Sequence, residues 1–221
     1  MKAKEPKKEE FWEFWGPIFL TIALYAGIRH YIAEARYIPS GSMLPGLQIN
    51  DRIIVEKLSL KKRFPLRGEI VVFNSPYAFD KKLIGNRQER LPTKLKCSLI
   101  TFPLFSWFPG LSDRACDAYI KRVVAIEGDQ LLVDSKGSIR LNGNLIDEPY
   151  VKNLCSGPKK LNFCRSVNAI IPKGHVFVLG DNRGNSWDSR FWPGGGFLPE
   201  EEIIGKAILR FWPITRLGFL R

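Results

Sequence analysis

The chain has 221 residues, 45% of them hydrophobic, and a formal net charge of +12. That apolar share excludes a disordered chain, and the length fits a single sizeable domain or a small body in two lobes. The charge points to an anionic partner, nucleic acid or an acidic membrane surface, unless it serves solubility alone.

The first ten residues form a basic tail, with Lys2, Lys4, Lys7 and Lys8 among Glu5, Glu9 and Glu10. From Phe14 to Ile28 there is no charge. This stretch is short of the roughly 20 residues of a bilayer span, but Phe11, Trp12, Tyr31 and Ile32 extend it. Trp12, Trp15 and Tyr31 would sit in the interfacial aromatic belts, with Arg29 and His30 near one interface. A cleaved signal peptide starts in the same way, yet "HYIAEARYIPSG" lacks a clean small-x-small site followed by a linker. The expectation is an uncleaved anchor over 11–35, with the lysines holding the N-terminus inside and the body outside.

Beyond the anchor the pattern is β. "DRIIVEKLS" and "GEIVVFNSP" are Ile- and Val-rich runs joined by a basic linker, and "AYIKRVVAIEGD" is a third. "QLLVDSKGSIRLNGNLI" reads as three strands with turns at Ser135–Gly137 and Asn142–Gly143. "KGHVFVLGDN" and "IIGKAILRFWPI" complete the set, with only a helical turn at "LPEEEI". The predicted fold class is mainly β, an antiparallel body over 36–221 on one N-terminal transmembrane helix. Two excursions interrupt it, at about 75–117 and 151–168. The first contains the uncharged aromatic run "ITFPLFSWFPGL". Buried core is the common fate of such a run; exposed, it would dip into the bilayer. Cys97, Cys116, Cys155 and Cys164 are even in number without a C-x-x-C pair. Pairing of Cys155 with Cys164 and of Cys97 with Cys116 suits an oxidising compartment; four buried thiols are the alternative.

Chemistry concentrates in three stretches. "IPSGSMLPG" offers two serines, Ser40 and Ser42, either of which needs a base to become a nucleophile. The two histidines are unattractive, since His30 ends the membrane segment and His175 opens a strand with no acidic partner nearby. A lysine serves as base once burial lowers its pKa. On "AYIKRVVAI", alternation puts Tyr119, Lys121, Val123 and Ala125 on one face, which desolvates Lys121 if that face is inward. Alternation alone favours the other outcome, a solvated lysine whose stem covers apolar atoms. The third stretch, "GDNRGNSWDSR", lacks the acidic spacing of a calcium loop, so no metal is expected. Within it Asp188 and Arg190 suit an ion pair, leaving Ser186 to orient an amine.

Taken in order behind an anchor, "PSGSMLPGL", "RGEIVVF", "YIKRVVAIEGD" and "LGDNRGNSWDSRFW" closely resemble bacterial-type signal peptidase I, the leader peptidase family. The resemblance runs from about Tyr37 to Gly205 and reverses the preference for a solvated Lys121. It implies Ser42 as nucleophile, Lys121 as general base, and an oxyanion hole from the Ser40 hydroxyl and the Ser42 backbone N–H. It also implies that Ser186 hydrogen-bonds the lysine amine, supported by the Asp188–Arg190 pair. Ile38, Leu47, Tyr119 and Ile120 fall where the family lines shallow apolar pockets for Ala-x-Ala signal-peptide ends. No cofactor is implied. The implied partners are signal-peptide-bearing preproteins and anionic membrane lipid, not nucleic acid. The implied location is a cytoplasmic or thylakoid-type membrane, single-pass, with the body on the non-cytoplasmic side. Gly46 stands where the family usually has threonine, and "PGGG" at 193–196 lengthens the last loop. The rivals are another Ser–Lys processing peptidase of the same fold and a non-catalytic, membrane-tethered basic binding protein.

Overall fold

The computed structural model describes residues 8–85, 117–152, 154–155 and 165–220. Helix α1 (Lys8–Gly27) continues through a π-helical turn at Ile28–Ile32. Within it the 22-residue span Phe11–Ile32 holds an 18-residue window of mean hydropathy 1.3, none of it buried. At 1.5 Å per residue that is about 33 Å, enough by length and composition to cross a hydrocarbon core. The helix starts inside the expected tail, at Lys8, and the chain turns to strand before 35.

In chain order the strands are β1 (Ala33–Tyr37), β2 (Arg52–Glu56), β3 (Ile70–Asn74) and β4 (Ala118–Ile126), followed by β5 (Gln130–Val133), β6 (Ile139–Leu141), β7 (Asn144–Leu145) and β8 (Val167–Ile170). The last four are β9 (His175–Leu179), β10 (Leu198–Pro199), β11 (Ile203–Trp212) and β12 (Gly218–Phe219). They build two antiparallel sheets. The larger runs β1-β2-β11-β3-β4-β9-β10 with β12 on β11, and the smaller runs β7-β6-β5-β8. Short helices α2 (Pro76–Phe79) and α3 (Lys81–Gly85) open the first excursion. Its aromatic run lies outside the described residues. The second excursion is shorter than expected, because β8 begins at Val167 and pairs with β5.

Alternation explains how the large sheet is held. On β3, Ile70 and Val72 face one cluster with Ile38, Met43, Leu47, Ile53, Val55 and Ile120. Val71 and Phe73 face the opposite cluster with Val123, Val176, Val178 and Trp192. Each such side chain removed from water contributes about 1.5–3 kcal/mol. Central strand β4 is therefore covered on both faces, and nothing on it from Ile120 to Ala125 is exposed. A third cluster, with Val124, Ala125, Leu131 and Phe177, joins the two sheets.

Candidate active site

Ser42 sits on a tight turn after β1. Leu44 N–H donates to Gly41 O at 3.2 Å and Leu47 N–H to Met43 O at 2.9 Å. The fully buried Met43 and Leu47 pin this turn to the core. The Gly180–Arg190 loop grips it from the other side. Asn182 donates through its backbone N–H to Ser42 O (3.1 Å) and through Nδ2 to Gly41 O (3.0 Å). Backbone bonds thus fix the serine before its side chain does anything.

Lys121 comes from the middle of β4, in register with Val71. It is 4% exposed, so the solvated reading fails. Strand β4 has no solvated face here, which alternation along one strand does not reveal. Lys121 Nζ donates to Ser42 Oγ at 2.7 Å and to Ile120 O at 2.9 Å. Burial lowers the amine to about 8, Asp188 and Asp181 pull it back up, and Arg190 lowers it further. A substantial fraction is therefore neutral near pH 8, with a lone pair able to take the Ser42 proton.

Two buried ion pairs flank the amine. Arg190 holds Asp188 in a fork, Nε–Oδ1 2.8 Å and Nη2–Oδ2 2.9 Å, as the sequence suggested. Asp188 Oδ2 also accepts from Gly180 N–H at 3.1 Å. The second fork, Arg122 to Asp181 at 2.8 and 2.7 Å, was not foreseen. Its sequence signal was a second cation directly after Lys121 on an otherwise apolar strand. Gly180 lies so close that an added Cβ would run into Ser186 Oγ and reach 2.5 Å from Ser42 O.

A cleft of about 520 Å³ opens over Ser42, lined by Pro39, Ser40, Gly41, Ala118, Tyr119, Ile120, Lys121, Asn185 and Trp187, with Asp117 at its edge. The structure brings Ser40, Ser42, Lys121, Tyr119 and Ile120 together there. Ile38 and Leu47 do not line it. They are 2% and 0% exposed, in the core cluster that also holds the cleft residue Ile120. Ser186 is close by, but its Oγ is buried without a hydrogen-bond partner among the described residues, and the lysine does not bond it. Trp187 stacks on Tyr77 of α2 (5.8 Å, 24°) and packs 5.9 Å from Tyr119, which makes it a wall of the cleft.

The two departures also find places. An added Cβ at Gly46 would stand 3.2 Å from Asp181 Oδ2, and the Gly46 carbonyl accepts from Arg210 at 2.8 Å. Gly194 of the lengthened loop donates its N–H to Asp80 Oδ2 at 2.7 Å, docking that loop on the start of the first excursion. Cys155 is disulfide-bonded; Cys97, Cys116 and Cys164 lie outside the described residues.

A mostly antiparallel β body on an apolar helix, with a buried amine against a serine hydroxyl in an open cleft, defines a hydrolase-type site. The family model described as "Signal peptidase, peptidase S26" matches residues 11–212. "Probable signal peptidase I-2" of Synechocystis is 39% identical over 99% of this chain and 82% of its own length. "Signal peptidase I" of Leptolyngbya laminosa is 37% identical over 99% of this chain and 88% of its own. "Thylakoidal processing peptidase 1, chloroplastic" of Arabidopsis thaliana is 32% identical over 90% of this chain and 48% of its own. The chain belongs to the signal peptidase, peptidase S26, family, and it is a peptidase.

Proposed function

We propose that this protein is a membrane-anchored serine endopeptidase that removes N-terminal signal peptides from exported preproteins, cleaving after small residues in an Ala-x-Ala context. The observation that carries the reading is the 2.7 Å contact of a buried Lys121 Nζ with Ser42 Oγ. The neutral amine takes the Ser42 proton as Oγ attacks the scissile carbonyl. Ser40 Oγ–H and the Ser42 backbone N–H stabilise the oxyanion, each contributing about 3 kcal/mol. The lysine ammonium returns its proton to the leaving amine of the mature chain. Water, deprotonated by the same amine, then releases the signal peptide from the Ser42 ester. Tyr119, Ile120 and Trp187 line the cleft beside these groups, which supports a preference for small side chains near the cut.

The membrane part of the reading rests on the apolar helix and the basic N-terminal residues. The helix enters a cytoplasmic or thylakoid-type membrane with the body on the non-cytoplasmic side. Anionic lipid at that surface accounts for the net charge without nucleic acid. The test is cleavage of an Ala-x-Ala preprotein in detergent by wild type, Ser42→Ala and Lys121→Met. Both variants should lose cleavage while remaining folded. Wild-type rates in either would end the assignment of that residue.

A further inference from the structure

The small β7-β6-β5-β8 sheet contributes no residue to the cleft, yet the segment after β7 reaches back to the residues that hold Ser42. Glu148 grips Arg183 with both oxygens, Nη2–Oε1 2.6 Å and Nη1–Oε2 2.8 Å. Both side chains are shielded, Arg183 at 0% exposure and Glu148 at 7%. Arg183 then passes the hold onward. Its Nε donates to Gly180 O at 3.1 Å, and its own carbonyl accepts from Arg190 Nη2 at 2.8 Å. Gly180 and Arg190 are the residues that frame Asp188 beside the lysine, and Asn182 next along binds Ser42 O.

A second arm leaves the same segment. Tyr150 donates its hydroxyl to Glu148 Oε1 at 2.6 Å, and its ring lies 3.9 Å under the Arg122 guanidinium. Arg122 follows Lys121 in β4 and forks onto Asp181. Two buried arginines, Arg183 and Arg122, thus end on one carboxylate and one phenol from the segment after β7. A buried guanidinium that loses its carboxylate must find another partner, and Arg183 is already bonded to Gly137 O (2.7 Å) on one side and to Gly180 O (3.1 Å) of the site loop on the other.

We propose that Glu148, with Tyr150, is a positioning element for the reaction: through Arg183 and Arg122 it sets where the Gly180–Arg190 loop holds Ser42 and Lys121. The small sheet is then a buttress of the active site. This rests on the reading of Ser42 and Lys121 as the reacting pair. Glu148 touches neither substrate nor the reacting atoms, so its effect belongs in turnover rather than in substrate binding.

The experiment uses the full chain in detergent, with Glu148→Gln, Glu148→Ala and Tyr150→Phe assayed well below each variant's melting temperature. Glu148→Gln keeps the side-chain shape and removes the charge; Tyr150→Phe keeps the ring and removes only the hydroxyl. The expected result is a fall of about tenfold in kcat for Glu148→Gln with KM within about twofold, since sub-ångström misplacement is felt in the rate. Tyr150→Phe should show a smaller loss in kcat, again with KM held. Amide hydrogen exchange is the readout independent of activity. The Gly180 and Asn182 amides should exchange about tenfold faster in Glu148→Gln, with the β3 and β11 amides unchanged. Unchanged kcat in Glu148→Gln, or faster exchange spread evenly over β3 and β11, overturns the proposal. A wild type that cleaves no preprotein would sink the proposed function instead, and the exchange comparison would still decide the coupling.

Discussion

Replacing Lys121 by methionine should make the protein more stable at pH 7 and less stable at pH 10. The cause is the amine's environment: burial lowers it from the ordinary 10.5 to about 8. The unfolded chain therefore holds the Lys121 proton up to about 10.5 while the folded chain releases it near 8. Across that window the unfolded state binds more protons, so wild-type stability rises with pH and is flat below the window. The shift corresponds to a penalty of about 3 kcal/mol at pH 7, of which about 1 kcal/mol remains at pH 10. Methionine has nearly the same length, fills the space, and carries no charge. It forfeits the bonds to Ser42 Oγ and Ile120 O, each worth about 1 kcal/mol net. The balance is a gain of about 1 kcal/mol at pH 7 that becomes a loss of about 1 kcal/mol at pH 10. Thermal melting in one detergent at pH 7, 8, 9 and 10 would read this as a Tm difference of about 2–4 °C that changes sign. A difference constant over that range would refute the reasoning, because Lys121 would then titrate alike in both states.

Other substitutions separate roles within the site. Ser40→Ala should lower kcat by about 10²–10³ with little change in fold, the usual loss for one oxyanion donor, measurable by steady-state cleavage. Arg190→Met strands Asp188 in a fully buried position and should destabilise the protein by about 3–5 kcal/mol, visible in thermal melting. Trp187→Ala removes a wall of the cleft, so relative cleavage of substrates with larger residues near the scissile bond should rise in competition against Ala-x-Ala.

The strands that were legible in the sequence carry their own apolar signal. Ile53 and Val55 of β2, the β3 and β9 runs and the Asn142–Gly143 turn read directly from spacing. Strand β1 did not, because "AEARY" has no apolar run; its inward residue is Glu34. Burial by itself would raise that carboxyl, but Arg36 and Lys57 hold it below the usual carboxylate range. That compensation lies partly 23 residues away and leaves no local pattern. Strand β8 hid for a related reason: "VNAI" is short, and its pairing with β5 alone defines it. The proposed Ser42–Lys121 pair emerged only from several motifs together, since Lys121 looks like a half-solvated strand lysine until both faces of β4 are seen to be covered. Ile38 and Leu47 show how little sequence proximity says about exposure. Neighbours of a site in sequence, they pack beneath it rather than into it. The grip of Glu148 on Arg183 spans 35 residues and joins two connecting segments, so no spacing within either segment announces it.

A buried, neutral Lys121 acting as the base for Ser42 has one direct signature. It is the dependence of kcat/KM on pH for the full chain in detergent, which reports the free enzyme's own titrating group. A lysine at about 8 predicts a single ascending limb with its midpoint there. The rate should rise about fivefold from pH 7 to 8 and level off above about pH 9. A flat profile over that range, or a limb still climbing towards the ordinary lysine value of 10.5 with the fold intact, would contradict it.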